Sequence, residues 1–321
     1  MTVIIETNDL TKVFPPNIIA VDKISLAIRE GEIFSFLGPN GAGKTTTVRL
    51  LTTLLKPTSG RATVNGYDIL NESLELRKNI GILTDRPNLY LRLTAKRNLL
   101  FFAKMYGLSH EEALRRIEEM ARKFELTERL DSSVGSYSKG MKQKLGILRA
   151  MIHSPPILFL DEPTAGLDPL AQSSVRETIE KAAELDTTIF MTTHNLPEAE
   201  RLADKIGVIN KGEVLVQGST SDLRSQLSKS NKLLIRCLNK TDNYLSFIQN
   251  IGGVNSAFIL EDGYSIELEV SNFSKVTPLV VESLVENGIA ILEVRPTKKS
   301  LEEIYKEIMG VSNRGEGINA A

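Results

Sequence analysis

The chain has 321 residues, 41% hydrophobic and 25% charged, a balance typical of globular proteins large enough to bury a core without staples. Its 39 basic and 40 acidic residues leave a net charge of −1, and neither the part up to Gly218 (28 basic, 27 acidic) nor the remainder (11 and 13) has the basic excess of a nucleic-acid binder. The single cysteine, Cys237, excludes an intrachain disulfide and suits a reducing cytosol, no run reaches the roughly 18 apolar residues of a membrane span, and the acidic N-terminal stretch is not a secretory signal.

Taken in chain order, apolar runs alternating with helical patterns predict an α/β first domain over 3–218. Residues 3–10 and 24–28 read as strands, as does 32–37 (EIFSFL), which ends in a glycine-rich turn. A helix is expected from Lys44 to about Leu55, stopped by Pro57 and Gly60. Residues 94–153 read as almost wholly helical, with period-3.6 apolar stripes. Gly107 ends the first of these helices, Ser109 and Glu112 form a capping box for the second, and a third follows Ser138. ILFL (157–160) is a short run fit for a buried parallel strand. Asp168-Pro169 starts another helix. TTIFMTT (187–193) and KIGVI (205–209) complete the strands, and a turn at Asn210, Lys211 and Gly212 leads into EVLVQG.

The rhythm changes after about residue 220. LLIRCL (233–238) is strand-like and DNYLSFIQNIG helix-like; two further strands flank Asp262-Gly263, a hairpin signal. Thr277-Pro278 is expected to start a helix that Gly288 ends. AILEVRP is strand-like, and Ser300 with Glu303 forms a capping box for a last helix stopped by Gly310. This βαββαβ order predicts a small α+β, ferredoxin-like domain over 220–310. Residues 311–321 are expected to be a disordered tail.

Two motifs carry chemistry. Gly38-Pro39-Asn40-Gly41-Ala42-Gly43-Lys44-Thr45, followed by Thr46, is a P-loop between a strand and a helix. Its glycines let backbone N–H groups close around phosphate oxygens, and the helix N-terminus adds its positive dipole end. Lys44 supplies charge to the β- and γ-phosphates, and the Thr45 hydroxyl can ligate Mg²⁺. In ILFLDE (157–162), carboxylates stand at the C-terminal end of a buried strand, where α/β sheets bind ligands. There Asp161 would hold Mg²⁺ directly or through water, and Glu162 would polarise the attacking water.

Between them lies Tyr137-Ser138-Lys139-Gly140-Met141-Lys142-Gln143, which resembles the signature of ABC ATPases in a form common among exporter subunits. The resemblance covers residues 3–218 as an ABC nucleotide-binding domain with a helical subdomain at about 86–153. It implies that Ser138 and the Gly140 backbone bind the γ-phosphate of ATP held by a second copy; in isolation Ser138 reads as a plain N-cap, and its place shortly before ILFLDE favours the functional reading. Ala165-Gly-Leu-Asp168 looks like the D-loop, Asp168 being also a helix cap. His194 looks like the switch histidine that meets the γ-phosphate. Phe14 matches the aromatic that stacks on adenine, or packs in the core. Asp85 stands where the family carries Gln or Glu in its Q-loop; being shorter, it would reach Mg²⁺ only through water or a backbone shift.

The resemblance further implies an ATP- and Mg²⁺-dependent hydrolase, peripheral on the cytoplasmic face of the membrane. Its partners would be a second ATPase subunit, identical or paralogous, and a separate integral membrane permease. No nucleic-acid partner is expected. The tail ending LEEIYKEIMG resembles the accessory domain of drug-resistance-type exporters. The alternative is a soluble mechanical ATPase of the same superfamily acting on nucleic acid or ribosomes. The short interval between P-loop and signature, without sustained heptads, and the single ATPase domain speak against that alternative. A nucleotide-binding regulator without catalysis is disfavoured by the presence of both Asp161 and Glu162.

Overall fold

The structure, a computed structural model, describes residues 2–85, 87–227, 232–240, 244–297 and 301–309, and the chain divides into two units, 1–220 and 221–321. The first unit is centred on a six-stranded sheet of β10 (Glu213–Gly218), β9 (Lys205–Asn210), β3 (Ile33–Leu37), β8 (Thr188–Thr193), β7 (Ile157–Asp161) and β6 (Ile80–Leu83), in that spatial order. The last five run parallel, and β10 returns antiparallel to β9.

Every residue of β3, β7 and β8 is buried, because layers cover both faces of the sheet, as a parallel sheet requires. Successive side chains point to opposite faces. Leu158, Leu160, Ile189 and Met191 join a core shared with the helices, while Phe34, Phe36, Phe159 and Phe190 join the other core. That second core is closed by a four-stranded antiparallel sheet, β2 (Ile18–Arg29), β1 (Val3–Phe14), β4 (Ser59–Val64) and β5 (Tyr67–Asp68), together with α1 (Lys44–Leu51) and α2 (Ser73–Lys78).

On the helical side lie α3 (Ala95–Met105), α4 (His110–Lys123), α5 (Lys139–Met151) and α6 (Pro169–Ala183), followed by the shorter α7 (Leu196–Leu202). Their starts are capped as their sequences dictate: Thr94, Ser109, Ser138, Asp168 and Asn195 each accept a backbone N–H three residues on. The Ser109 box is completed differently, since the Glu112 carboxylate pairs with Arg116 at 2.8 Å.

Several boundaries depart from expectation. The β1–β2 hairpin is longer than the runs read at 3–10 and 24–28, because register shifts near Thr7, Leu10 and Lys12 break the alternation without ending the pairing. Helix α1 stops at Leu51, where Thr53 turns into the left-handed region at φ 61°. Gly60 is therefore no helix stop. It lies in β4 at φ +80°, where a Cβ would sit 2.2 Å from the Asp9 carbonyl oxygen. Strand β4 and helices α2 and α7 carry no sequence expectation at all.

In the second unit, after α8 (Thr220–Leu227), come β11 (Lys232–Cys237), α9 (Leu245–Ile248), β12 (Val254–Ile259), β13 (Ser265–Val270), α10 (Phe273–Glu286), β14 (Ile291–Thr297) and α11 (Leu301–Ile308). The sheet order β12-β13-β11-β14, antiparallel throughout, is the ferredoxin-like arrangement. At the hairpin, Asp262 accepts from the Tyr264 and Ser265 N–H groups and the Ser265 hydroxyl, which holds its carboxyl below the usual range. Helix α10 begins four residues before Thr277. Asn272 caps it, and Pro278 lies inside it. The buried stripe Val276, Val280, Leu284 carries the helix across the hydrogen bond that proline cannot make. Cys237 is a buried strand residue whose thiol is pushed up by burial. The Ser300 half of the last capping box, Gly310 and the expected tail at 311–321 lie outside the described residues.

Candidate active site

Parallel register assembles the site. Leu37 lies opposite Thr193, and Asp161 opposite Thr192. The loops that leave β3, β7 and β8 therefore emerge side by side at one sheet edge, the place where open α/β sheets receive ligands. Backbone bonds tie them together: the Gly38 N–H donates to the Thr193 carbonyl at 3.2 Å, and the Glu162 N–H reaches the Thr192 carbonyl at 3.2 Å and its hydroxyl at 3.0 Å. Glu162 itself turns off the strand at φ 51°, a left-handed conformation uncommon outside glycine and frequent at functional sites.

Residues 38–43 form the loop from β3 into α1. Gly43 precedes the helix at φ 110°, and a Cβ there would lie 2.4 Å from the Ala20 carbonyl oxygen. Only glycine fits this turn against β2. Ala42 is buried and links the loop to the 210–213 turn by accepting from the Gly212 N–H at 2.9 Å; Pro39 is half-buried and Asn40 and Gly41 are exposed. Lys44, only 5% exposed, donates to the carbonyls of Gly38 at 2.8 Å and Pro39 at 3.1 Å, and its Nζ lies 3.0 Å from Glu162 Oε1. A nearly buried ammonium among glycine-loop N–H groups at a helix N-terminus is a cradle for phosphate oxygens. Thr46, on the first turn of α1, is half-buried.

Beside it, the Thr45 hydroxyl lies 3.1 Å from Asp161 Oδ1, and the same oxygen accepts from Thr192 at 2.6 Å. These are hard oxygen donors. Mg²⁺ in nucleotide sites takes one or two protein oxygens and completes its shell with phosphate and water, so Thr45 and Asp161 fit it. No sequence motif marks Thr192. Its signal is register: it is the residue that faces Asp161 across the sheet. Glu162 Oε2 lies 2.7 Å from His194 Nδ1, so one carboxylate spans Lys44 and His194. Asp85 is exposed, and no described hydrogen bond or ion pair joins it to Thr45 or Asp161.

The signature residues start α5. Ser138 is exposed and accepts from the Met141 N–H at 3.2 Å; Gly140 is buried against Ala171 of α6. Asp168 caps α6 by accepting from the Ala171 N–H at 2.9 Å. Lys139 ties the two segments, donating to the carbonyls of Ala165 at 3.2 Å and Gly166 at 2.9 Å. Phe14 ends β1 half-buried, with Lys12 Nζ 5.2 Å over its ring and Ile18 opposite it. Ala20, two residues beyond Ile18, is the residue that packs on Gly43, so this hairpin end lies towards the P-loop.

Known proteins resemble this chain in sequence and fold. A family model described as ABC transporter matches residues 21–165. The linearmycin resistance ATP-binding protein LnrL of Bacillus subtilis (strain 168) is 34% identical over 290 residues, covering 90% of this chain and 93% of its own length. The bacitracin transport ATP-binding protein BcrA of Bacillus licheniformis is 35% identical over 312 residues, covering 97% and 98%. Among solved structures, an ATP-binding subunit of an ABC transporter superimposes with a TM-score of 0.63 at 34% identity, over 70% of this chain and 93% of its own. A dimeric ATP-binding cassette in a post-hydrolysis state, bound to ADP and phosphate, gives 0.60 at 28%, over 67% and 98%. With a phosphate cradle, paired carboxylates and two relatives above 30% identity along nearly its whole length, the chain belongs to the ATP-binding proteins of ABC transporters.

Proposed function

We propose that this chain is the ATP-hydrolysing motor of a membrane exporter, with residues 3–218 as the motor domain and 220–310 as an accessory domain. The observation that carries the reading is Glu162, held between Lys44 at 3.0 Å and His194 at 2.7 Å beside the Thr45–Asp161 pair. When bound, Mg²⁺ supplies charge neutralisation of the phosphates, held by Thr45 and Asp161. Lys44 releases Glu162 and the loop carbonyls to meet the β- and γ-phosphate oxygens beside the N-terminus of α1. Glu162, freed of Lys44, takes the proton of the attacking water, and His194 holds its carboxylate in place and faces the γ-phosphate. Phe14 stacks on the adenine.

The pocket is finished by a second copy or a paralogue. Ser138 and Gly140 at the tip of its α5 face the γ-phosphate, and the segment ending in Asp168 crosses between subunits. No helix among the described residues is long and apolar enough to cross a membrane; in this reading the transport path is a separate integral permease, and the chain docks on its cytoplasmic face. Exposed Tyr90, Leu91, Phe101 and Met105, between 42% and 68% accessible, form an apolar surface on the helical segment suited to a protein partner. The relatives named for linearmycin resistance and bacitracin transport support export of a small molecule.

The test is affinity isolation of the full chain from detergent-solubilised membranes, with phosphate release measured on the product. Recovery in fixed ratio with a protein of several hydrophobic spans, and ATP hydrolysis that requires Mg²⁺, is expected. Recovery free of any such protein, with hydrolysis stimulated by nucleic acid or ribosomes, would replace the exporter by a soluble mechanical ATPase.

A further inference from the structure

Glu198 stands on the first turn of α7, three residues after Asn195. Its sequence setting is that of a capping box, in which the carboxylate would return to the N–H of the capping residue. The structure uses it otherwise. Asn195 caps the helix through Glu198's own N–H at 3.2 Å, while the Asn195 N–H goes to the Thr193 hydroxyl at 3.0 Å. The Glu198 carboxylate is left to accept two hydroxyls from different segments: Thr164 on Oε1 at 2.5 Å and Thr193 on Oε2 at 2.6 Å.

All three side chains are buried, Glu198 at 2% exposure, Thr164 at 5% and Thr193 at 1%. Among the described residues no cation pairs with Glu198. A carboxylate withdrawn from water without a counter-charge is costly unless its oxygens are fully hydrogen-bonded, and a helix cap alone does not need one. The segments it joins are specific. Thr164 follows Glu162 by two residues, and Thr193 precedes His194. Glu198 thus braces from below the two backbones whose tips carry the 2.7 Å contact between Glu162 and His194. Thr193 also accepts the P-loop N–H of Gly38, so the brace reaches all three site loops.

We propose that Glu198 is a positioning residue for hydrolysis, fixing the separation of Glu162 and His194 by clamping Thr164 to Thr193. The inference rests on the roles given above to Glu162 and His194. It differs from a capping role in what it moves: turnover rather than helix stability, and through His194 rather than independently of it.

The experiment is steady-state ATP hydrolysis by the full chain carrying Glu198→Ala, Glu198→Gln, His194→Ala and the Glu198→Ala/His194→Ala pair, with thermal melting of each. Loss of a brace that orients reacting groups is expected to lower kcat by about 10- to 100-fold while KM for ATP moves less than about threefold. Glu198→Gln keeps the shape and one acceptor and should recover part of that loss. In the His194→Ala background, Glu198→Ala should cost less than about twofold, because the groups act as one unit. If Glu198→Ala melts before assay, Thr193→Val and Thr164→Val, each of which removes one hydroxyl and keeps the volume, carry the same test. Parental kcat in these variants, or full multiplication of the two losses, overturns the proposal. Parental kcat in His194→Ala alone overturns instead the role of His194.

Discussion

Substituting Glu162→Gln probes the centre of the site, and the structure sets its magnitude. The carboxylate is 17% exposed and touches Lys44, itself 5% exposed, at 3.0 Å and His194 at 2.7 Å. Glutamine keeps the shape and one acceptor but takes up no proton, so the step that needs a base should slow by about 100- to 10,000-fold. Binding should move the other way. At an effective dielectric constant of about 20 the Lys44–Glu162 attraction is about 5 kcal/mol gross, and most of that is offset by the desolvation of both groups. Nucleotide must break this pair to reach Lys44, so its removal should leave ATP affinity unchanged or tighten it by up to about tenfold, about 1.4 kcal/mol. Phosphate release at saturating Mg–ATP reads the first effect, and titration with a fluorescent ATP analogue reads the second. Turnover within about twofold of the parent, or affinity weakened tenfold, would refute the assignment of Glu162 as base and competitor for Lys44.

The other expectations concern the frame of the site. Thr192→Val removes the hydroxyl that donates to Asp161 at 2.6 Å and accepts from the Glu162 N–H at 3.0 Å; a loss of about 1–3 kcal/mol of stability is expected in urea, with a higher Mg²⁺ requirement in the ATPase assay. Gly43→Ala forces a Cβ towards the Ala20 carbonyl at φ 110°, and thermal melting should fall by at least about 5 °C with loss of nucleotide binding. His153, stacked on Tyr106 with ring centroids 3.6 Å apart, is held down to about 4 by burial, despite its bond to the Ile80 carbonyl. Between its unfolded value near 6.5 and about 4 only the unfolded chain takes up this proton, so stability should fall as pH falls through that window and be unaffected above it. Denaturation midpoints of His153→Phe against the parent at pH 7 and pH 5 should show a smaller acid loss in the variant.

What the sequence shows of this protein is local chemistry and strong periodicity. The P-loop, the buried run ending in Asp161 and the capped helices follow from residue types at fixed spacing, and Gly38, Lys44, Thr45, Asp161, Glu162 and His194 do meet at one sheet edge. Thr192 escapes such reading because Asp161 lies 31 residues away and only register brings them close, and Glu198 because one of its two partners, Thr164, lies 34 residues away. Boundaries blur where a local signal is overruled by packing. Pro278 inside α10 resembles a helix start, but the buried stripe on either side of it holds the turn. Gly60 resembles a stop signal, but its task is to let β4 approach Asp9. The hairpin of β1 and β2 extends beyond its sequence signal because bulges interrupt the alternation that marks a strand.

Asp85 lies on a segment bracketed by anchors from the helical side. Before it, Arg149 of α5 donates to the Ile82 carbonyl at 2.7 Å, and its guanidinium lies 5.0 Å from the Phe102 ring. After it, the buried Asn98 of α3 grips Tyr90 through both its N–H, at 2.8 Å, and its carbonyl, at 3.0 Å. The Tyr90 ring in turn stacks on Phe102 with centroids 6.2 Å apart. One aromatic ring therefore connects both ends of the segment, so movement of α3 relative to α5 must be felt there whether or not residue 85 touches metal. Burial lowers the Arg149 pKa, and among the described residues no carboxylate pairs with it, so its place depends on the carbonyl and the ring. Arg149→Met would retain the packing and orphan the Ile82 carbonyl, at about 1–3 kcal/mol. Arg149→Lys should not restore it, because a point charge cannot both lie flat on Phe102 and reach the strand. Hydrogen exchange should then accelerate in the amides of 83–90, while binding at Lys44, whose loop leaves β3 three strands away, stays within about twofold. Unchanged exchange in that segment would mean that Arg149 serves packing alone and that the bracket has no hold on the chain around Asp85.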